Sequence, residues 1–309
     1  MGRILAVAIN TFREAVRDRV LYGVLGIATF VLFFTLVLAQ VSLDQERRIV
    51  LDVGLASISL FSVLVSIFLG SSLLYKEIER KTLYVILPKP IQRYEFLVGK
   101  YVGIVLTVAV FIAIQGAVQL CVTSLQAGAP ATKVLLVMAG MPALLGLLAW
   151  RARDPAALTL FWAIGALAAA AWVVPRHSVD LMPVLLALAL NLGEVMVLAA
   201  VAVFFSSFST PFLTALLTAG VWLAGRSADA MMTMKARSIP LVVRETLKGV
   251  ARVWPNFNVF VPGRHTLETA LAQGAGPMSY VGNTLLYAVS YSVVVLILAA
   301  LVFRRRDFL

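Results

Sequence analysis

Apolar residues in this chain fill whole stretches rather than alternating with polar ones, and the charged residues gather between the stretches. A helix needs roughly 20 mostly apolar residues to cross the hydrocarbon of a bilayer, and its backbone polar groups are then satisfied within the helix. About eight stretches approach that requirement. They are Val20–Val41, Val53–Tyr75, Lys100–Leu125, Val134–Trp150, Ala156–Val174, Leu181–Phe205, Pro211–Gly225 and Thr284–Phe303, of which the fourth, fifth and seventh are short. The pattern predicts an all-α, polytopic integral membrane protein with a single transmembrane domain over residues 1–309.

Two further segments have a different character. Ahead of the first stretch, Ile4, Leu5, Ala8, Phe12, Ala15 and Val16 share one helical face while Arg3, Asn10, Arg13 and Arg17 take another. This spacing predicts an amphipathic helix within residues 1–19 lying in the membrane interface, the alternative being a cytoplasmic extension of the first span. Between the seventh stretch and the last, residues 226–283 carry Pro240, Pro255, Pro262 and Pro277, which exclude one long helix. Short interfacial or re-entrant helices fit there, and Ile239–Val253, with Arg244, Lys248 and Arg252 along one face, is the best candidate.

Composition agrees with a lipid environment: 61% of residues are hydrophobic and 13% charged, against about 45–50% and about 25% in an ordinary soluble domain. The net charge of +11 lies in short clusters between apolar stretches, where it sets orientation and meets anionic lipid; no basic folded face of the kind that grips nucleic acid is recognisable. The single cysteine, Cys121, sits in an apolar run, so no intrachain disulfide is available. The run Val20–Ala39 follows Arg13, Arg17 and Arg19 as a signal peptide would, but it is too long and lacks a small-residue cleavage site, so a retained helix is expected.

With a cytoplasmic amino terminus, the inside segments hold the early arginines, Lys76 to Lys100, Arg151 with Arg153, and Arg304 to Arg306. The short outside loops hold only Arg47, Arg48, Lys133 and Arg176, as the positive-inside bias requires. Both termini are then cytoplasmic and residues 226–283 lie outside, despite the seven basic residues in that segment.

The most informative polar stretch is Lys76 to Lys100, KEIERKTLYVILPKPIQRYEFLVGK. It resembles the cytoplasmic coupling-helix region of type 2 ATP-binding-cassette permeases, in which an acidic-basic run precedes a short helix, a proline turn and a polar-aromatic-acidic start to the third span. Glu77, Glu79, Arg80, Lys81, Thr82, Leu83, Tyr84, Pro88, Pro90, Glu95, Gly99 and Lys100 match that pattern. Two further likenesses are VAVFFSSFSTPFLTALLTAG at 201–220, where a helix ends in serines before Pro211, and the closing FRRRDF at 303–308. The resemblance covers roughly residues 1–125 and 181–309; it implies about six family-like spans, with residues 134–174 as an inserted helical pair. It also implies a hairpin that docks on a separate ATPase subunit carrying ATP and magnesium, and pairing with a second permease chain, identical or homologous, in the cell membrane. In that mechanism Glu77, Glu79, Arg80, Lys81, Thr82, Leu83, Tyr84, Pro88 and Pro90 form the coupling surface. The alternative for the stretch is a solvated loop whose charges only obey topology.

No phosphate loop is present, since Gly99-Lys100 is followed by tyrosine, and Gly274-Ala275-Gly276 lacks the rest of a dinucleotide fingerprint. His177 and His265 have no spaced acidic or cysteine companions, which argues against a metal site, and neither a nucleophile elbow nor a zinc-protease motif occurs. No catalytic residue and no bound cofactor are therefore expected. Polar residues inside spans are costly and face protein or a watery path. Gln115 and Gln119 share one face of the third span, and Asn191 and Glu194 lie near the middle of the sixth. Each either bonds helix to helix or lines a pathway, and Glu194 needs a proton or a partner. The Gly99 and Gly103 pair is expected to bring helices together. The expected function is an exporter's permease subunit. The alternatives are a proton-coupled secondary transporter using Glu194, and a membrane scaffold or mechanical subunit on the same fold.

Overall fold

The apolar stretches all become helices, because a chain in hydrocarbon has no other partner for its N–H and C=O groups than its own helical neighbours. The computed structural model describes residues 2–41, 45–79, 92–152, 155–174, 181–233, 254–261 and 276–304, together with residues 245, 246 and 249. The elements in chain order are α1 (Gly2–Val16), α2 (Arg19–Val41), α3 (Glu46–Glu79), α4 (Arg93–Gln126), α5 (Ala131–Arg151) and α6 (Pro155–Val173). They continue with α7 (Leu181–Ser206), α8 (Pro211–Arg226), α9 (Ala228–Thr233), a 3-10 turn (Phe257–Phe260) and α10 (Pro277–Arg304).

Seven of these, α2 to α7 and α10, are long and apolar enough to cross a membrane, so the protein is a multi-pass membrane protein. The seventh expected stretch, Pro211–Gly225, does form a helix, α8, but it has 16 residues. That length rises about 24 Å, short of the roughly 30 Å of hydrocarbon. The chain divides into two compact units, Met1–Ser66 with Val98–Leu188, and Ile67–Leu97 with Ala189–Leu309.

In the first unit, α1 is a helix of its own. It ends at Val16, and Asp18 accepts a hydrogen bond from the Val20 backbone N–H (3.0 Å) to open α2. The buried residues of α1 are Ala8, Thr11, Phe12, Ala15 and Val16. This is the expected apolar face, except that Leu5 is exposed and Ile4 only half-buried. Its partner is protein: Phe12 and Val16 cluster with Val110 of α4 and Ala163 of α6. A Cβ at Gly99 would lie 2.6 Å from Val7 Cβ, and one at Gly103 would lie 2.8 Å from the Ala8 carbonyl oxygen. Both positions need glycine because α1 passes directly over them.

The inserted pair is an antiparallel hairpin of α5 and α6, in which Trp162 Nε1 donates to the Met141 carbonyl (2.7 Å) just before Pro142. α5 is 11% buried inside the chain along its most apolar stretch, against 72% for α7, so α5 lies at the periphery of its unit and α7 is wrapped by protein.

In the second unit, α4 begins with half of a capping box: the Gln92 N–H donates to Glu95 Oε2 (3.0 Å). The polar-aromatic-acidic start read from the sequence thus has a local structural use. Among the described residues α7 and α8 form the unit's helical hairpin. They are joined through Ser207–Thr210, where the Ser207 and Ser209 N–H groups bond back to Val203 and Phe205, and Pro211 opens α8 at a position that needs no N–H.

Candidate functional site

The α7–α8 hairpin brings two opposite charges to one level. Glu194 stands about 18 Å back along α7 from Ser206, and Arg226, the last residue of α8, about 22 Å on from Pro211. They meet. Arg226 Nη2 donates to both oxygens of Glu194, at 2.7 and 2.9 Å, and Trp222 Nε1 donates to Oε1 at 2.8 Å. The guanidinium carbon sits 5.5 Å from the centre of the Trp222 ring, one helical turn back on the same face. Glu194 is 1% exposed and the Arg226 side chain 21%. A guanidinium at a helix carboxyl end also meets the negative end of the helix dipole.

The second part of the site is non-helical. Trp254–Val261 runs beside the end of α8, with every reach made by a polar side chain to a backbone or carboxylate partner. Trp254 Nε1 donates to the Val221 carbonyl (3.0 Å), and Asn258 Nδ2 to the carbonyl of Arg226 (2.9 Å). Asn256 Nδ2 donates to Asp229 Oδ1 in α9 (2.8 Å), while its own Oδ1 accepts from the Asn258 N–H (2.9 Å). From α10, Tyr280 Oη donates to the Val259 carbonyl (2.6 Å) and Tyr287 Oη accepts from the Asn256 N–H (3.2 Å). Non-helical backbone beside a long apolar helix is stable when it is buried in protein with its groups paired. Glycines give it room: a Cβ at Gly193 would come within 2.8 Å of the Phe260 ring, and one at Gly225 would strike the Pro255 carbonyl and Phe257.

The residues named from sequence fall in different places. Gln115 and Gln119 are fully buried in the first unit and reach different helices: Gln115 Nε2 donates to the Leu25 carbonyl of α2 (3.1 Å), and Gln119 Nε2 to the Val50 carbonyl of α3 (2.9 Å). Thr29 Oγ1 adds a bond to Gln115 Oε1 at 3.4 Å. Both side chains join helices, and no pathway is defined by them. Asn191 is buried one turn before Glu194 in the second unit. Glu77 and Glu79 belong to the last turn of α3. Arg80, Lys81, Thr82, Leu83, Tyr84, Pro88 and Pro90 lie outside the described residues. No group of three or more metal-ligating side chains gathers among the described residues.

Sequence reasoning did not single out Arg226, Trp222, Asp229, Asn256, Asn258 or Tyr287. Arg226 counted only as the first basic residue of a loop. A signal was available in Trp222 and Arg226 at four-residue spacing, which puts an indole and a guanidinium on one helical face beside a helix that carries a lone carboxylate. Neither a family model nor a curated protein matches the chain.

Proposed function

We propose that the chain is the membrane-spanning permease subunit of an ATP-binding-cassette exporter, resident in the cell membrane with both termini cytoplasmic. The pathway forms where two permease chains meet, and a separate ATPase subunit supplies the drive. The carrying observation is the stretch Lys76–Lys100, whose acidic-basic run, double-proline stop and acidic start match the coupling region of type 2 permeases. It is bracketed by α3 and α4, each an unbroken helix of 34 residues. Each rises about 51 Å, well beyond the roughly 30 Å of hydrocarbon. A push on the segment between them would reach the membrane interior through stiff rods. An amphipathic first helix seated on the start of α4 is consistent with this reading.

A proton-driven carrier would need a carboxylate that gains and gives up a proton. Glu194, the carboxylate available for that task in the sixth stretch, has its charge met by a guanidinium and an indole N–H. This supports the ATP-driven reading over the proton-driven one.

The test is co-expression with a candidate ATP-binding-cassette ATPase. The two chains are expected to purify together and to move cargo across proteoliposomes only when ATP is hydrolysed. Transport by this chain alone, driven by a proton gradient, would contradict the proposal.

A further inference from the structure

The arrangement around Arg226 performs one task with two different groups of the same residue. Its guanidinium holds Glu194, near the middle of α7, and its carbonyl holds Asn258 of the non-helical segment. Trp222, one turn earlier, ties the same carboxylate, and the carbonyl of Val221 beside it holds Trp254. The end of α8 is thus bonded on one side to a spanning helix and on the other to Trp254–Val261.

Depth gives this consequence. The segment lies level with Gly193 and Gly225 and fills space that side chains there would otherwise take. α8 is too short to cross alone, and the segment packs beside its last turns. One feature works against permanent seating: Asn258 Oδ1 is buried without a hydrogen-bond partner. A buried acceptor left unpaired is a cost that release to water would remove. The polar contacts around Arg226 hold the segment in place, and the unpaired acceptor lowers the cost of releasing it.

We propose that Trp254–Val261 is a releasable segment seated within the second unit and that Arg226 is its clasp, so that losing either the Glu194 contact or the Asn258 contact raises the share of molecules in which the segment is released. This inference stands on the second unit alone and does not depend on what drives the protein or what it carries.

The experiment uses the full chain in liposomes, with Cys121→Ala to remove the native thiol and Val259→Cys as reporter. Val259 is half-buried and its side chain takes no part in the clasp. With the clasp intact, an impermeant maleimide should label position 259 slowly. Adding Glu194→Gln or Asn258→Ala should raise the labelling rate by about tenfold or more, the population shift expected when a strong buried contact is lost from a local opening equilibrium. The exchanged pair Glu194→Arg with Arg226→Glu restores the attraction and should return labelling toward the slow rate, which separates clasp loss from general misfolding. Gln119→Leu, a buried polar change in the first unit, should leave it unchanged. Fast labelling with the clasp intact, or unchanged labelling in folded Glu194→Gln and Asn258→Ala proteins, would overturn the proposal.

Discussion

At the scale of single residues, the cost of a buried charge depends on what is left behind when its partner goes. Removing one member of a buried ion pair leaves an uncompensated charge and costs about 3–5 kcal/mol, whereas neutralising both is often tolerated. Arg226→Met is therefore expected to lower the melting temperature sharply, and Glu194→Gln combined with Arg226→Met much less, since the amide still accepts from Trp222. Thermal unfolding in detergent checks this, and equal losses in the single and double variants would show that the pair does not act as a unit. A second pair is coupled by volume. A methyl at Gly54 would occupy the place of the Gln119 amide, which is held by its bond to Val50. Gly54→Ala should destabilise by about 1–3 kcal/mol as overpacking does. The same change made on top of Gln119→Ala should cost little, giving a coupling of about 1 kcal/mol or more in a double-mutant cycle.

At the scale of elements, the long helices were legible because hydrocarbon imposes a length and a composition that few other contexts demand. α2, α3, α4, α7 and α10 each contain an expected stretch. α5 and α6, whose stretches were short, also appear, as a hairpin closed by Trp162. What the pattern could not show is partnership. Gln115 and Gln119 share a face of α4, yet the helix lies between two others and each glutamine turns to a different one. Trp254–Val261 has no period to read: its stability comes from Val221, Arg226, Asp229, Tyr280 and Tyr287, far away in the chain. For α1, the sequence showed the apolar face, while Gly99 and Gly103 show what covers it. Gly103→Leu should push α1 off α4, because the Ala8 backbone cannot yield as a side chain end can. Its expected signature is faster proteolysis within residues 1–19 while the spans stay inserted. Unchanged protease resistance would mean that α1 is not held at that crossing.

At the scale of the whole molecule, orientation and coupling are the properties on which function turns. The proposed orientation, drawn from the basic bias of the short loops, puts residue 44 outside, residue 154 inside and residues 226–283 outside, the last of these requiring that α8 complete a crossing together with the chain beyond it. Asp229 is a poor reporter for the last of these because its carboxylate holds Asn256. Cysteines at Asp44, Asp154 and Ala236 in a Cys121→Ala background should be labelled by an impermeant reagent from outside, inside and outside respectively. Labelling of position 236 from the cytoplasm would reverse the assigned side of the 226–283 segment. The coupling claim is tested most directly at Leu83 and Tyr84, the adjacent aliphatic and aromatic residues of the proposed coupling surface, since seated aromatic and aliphatic side chains tend to dominate interface energy. The measurement is ATP-dependent transport, together with co-purification of the ATPase chain, for the protein carrying Leu83→Ala and Tyr84→Ala. A protein that inserts and pairs normally but no longer retains the ATPase, or no longer transports with it, is the predicted result. Full ATPase binding with undiminished ATP-dependent transport would contradict it, leaving residues 76–100 as a solvated loop.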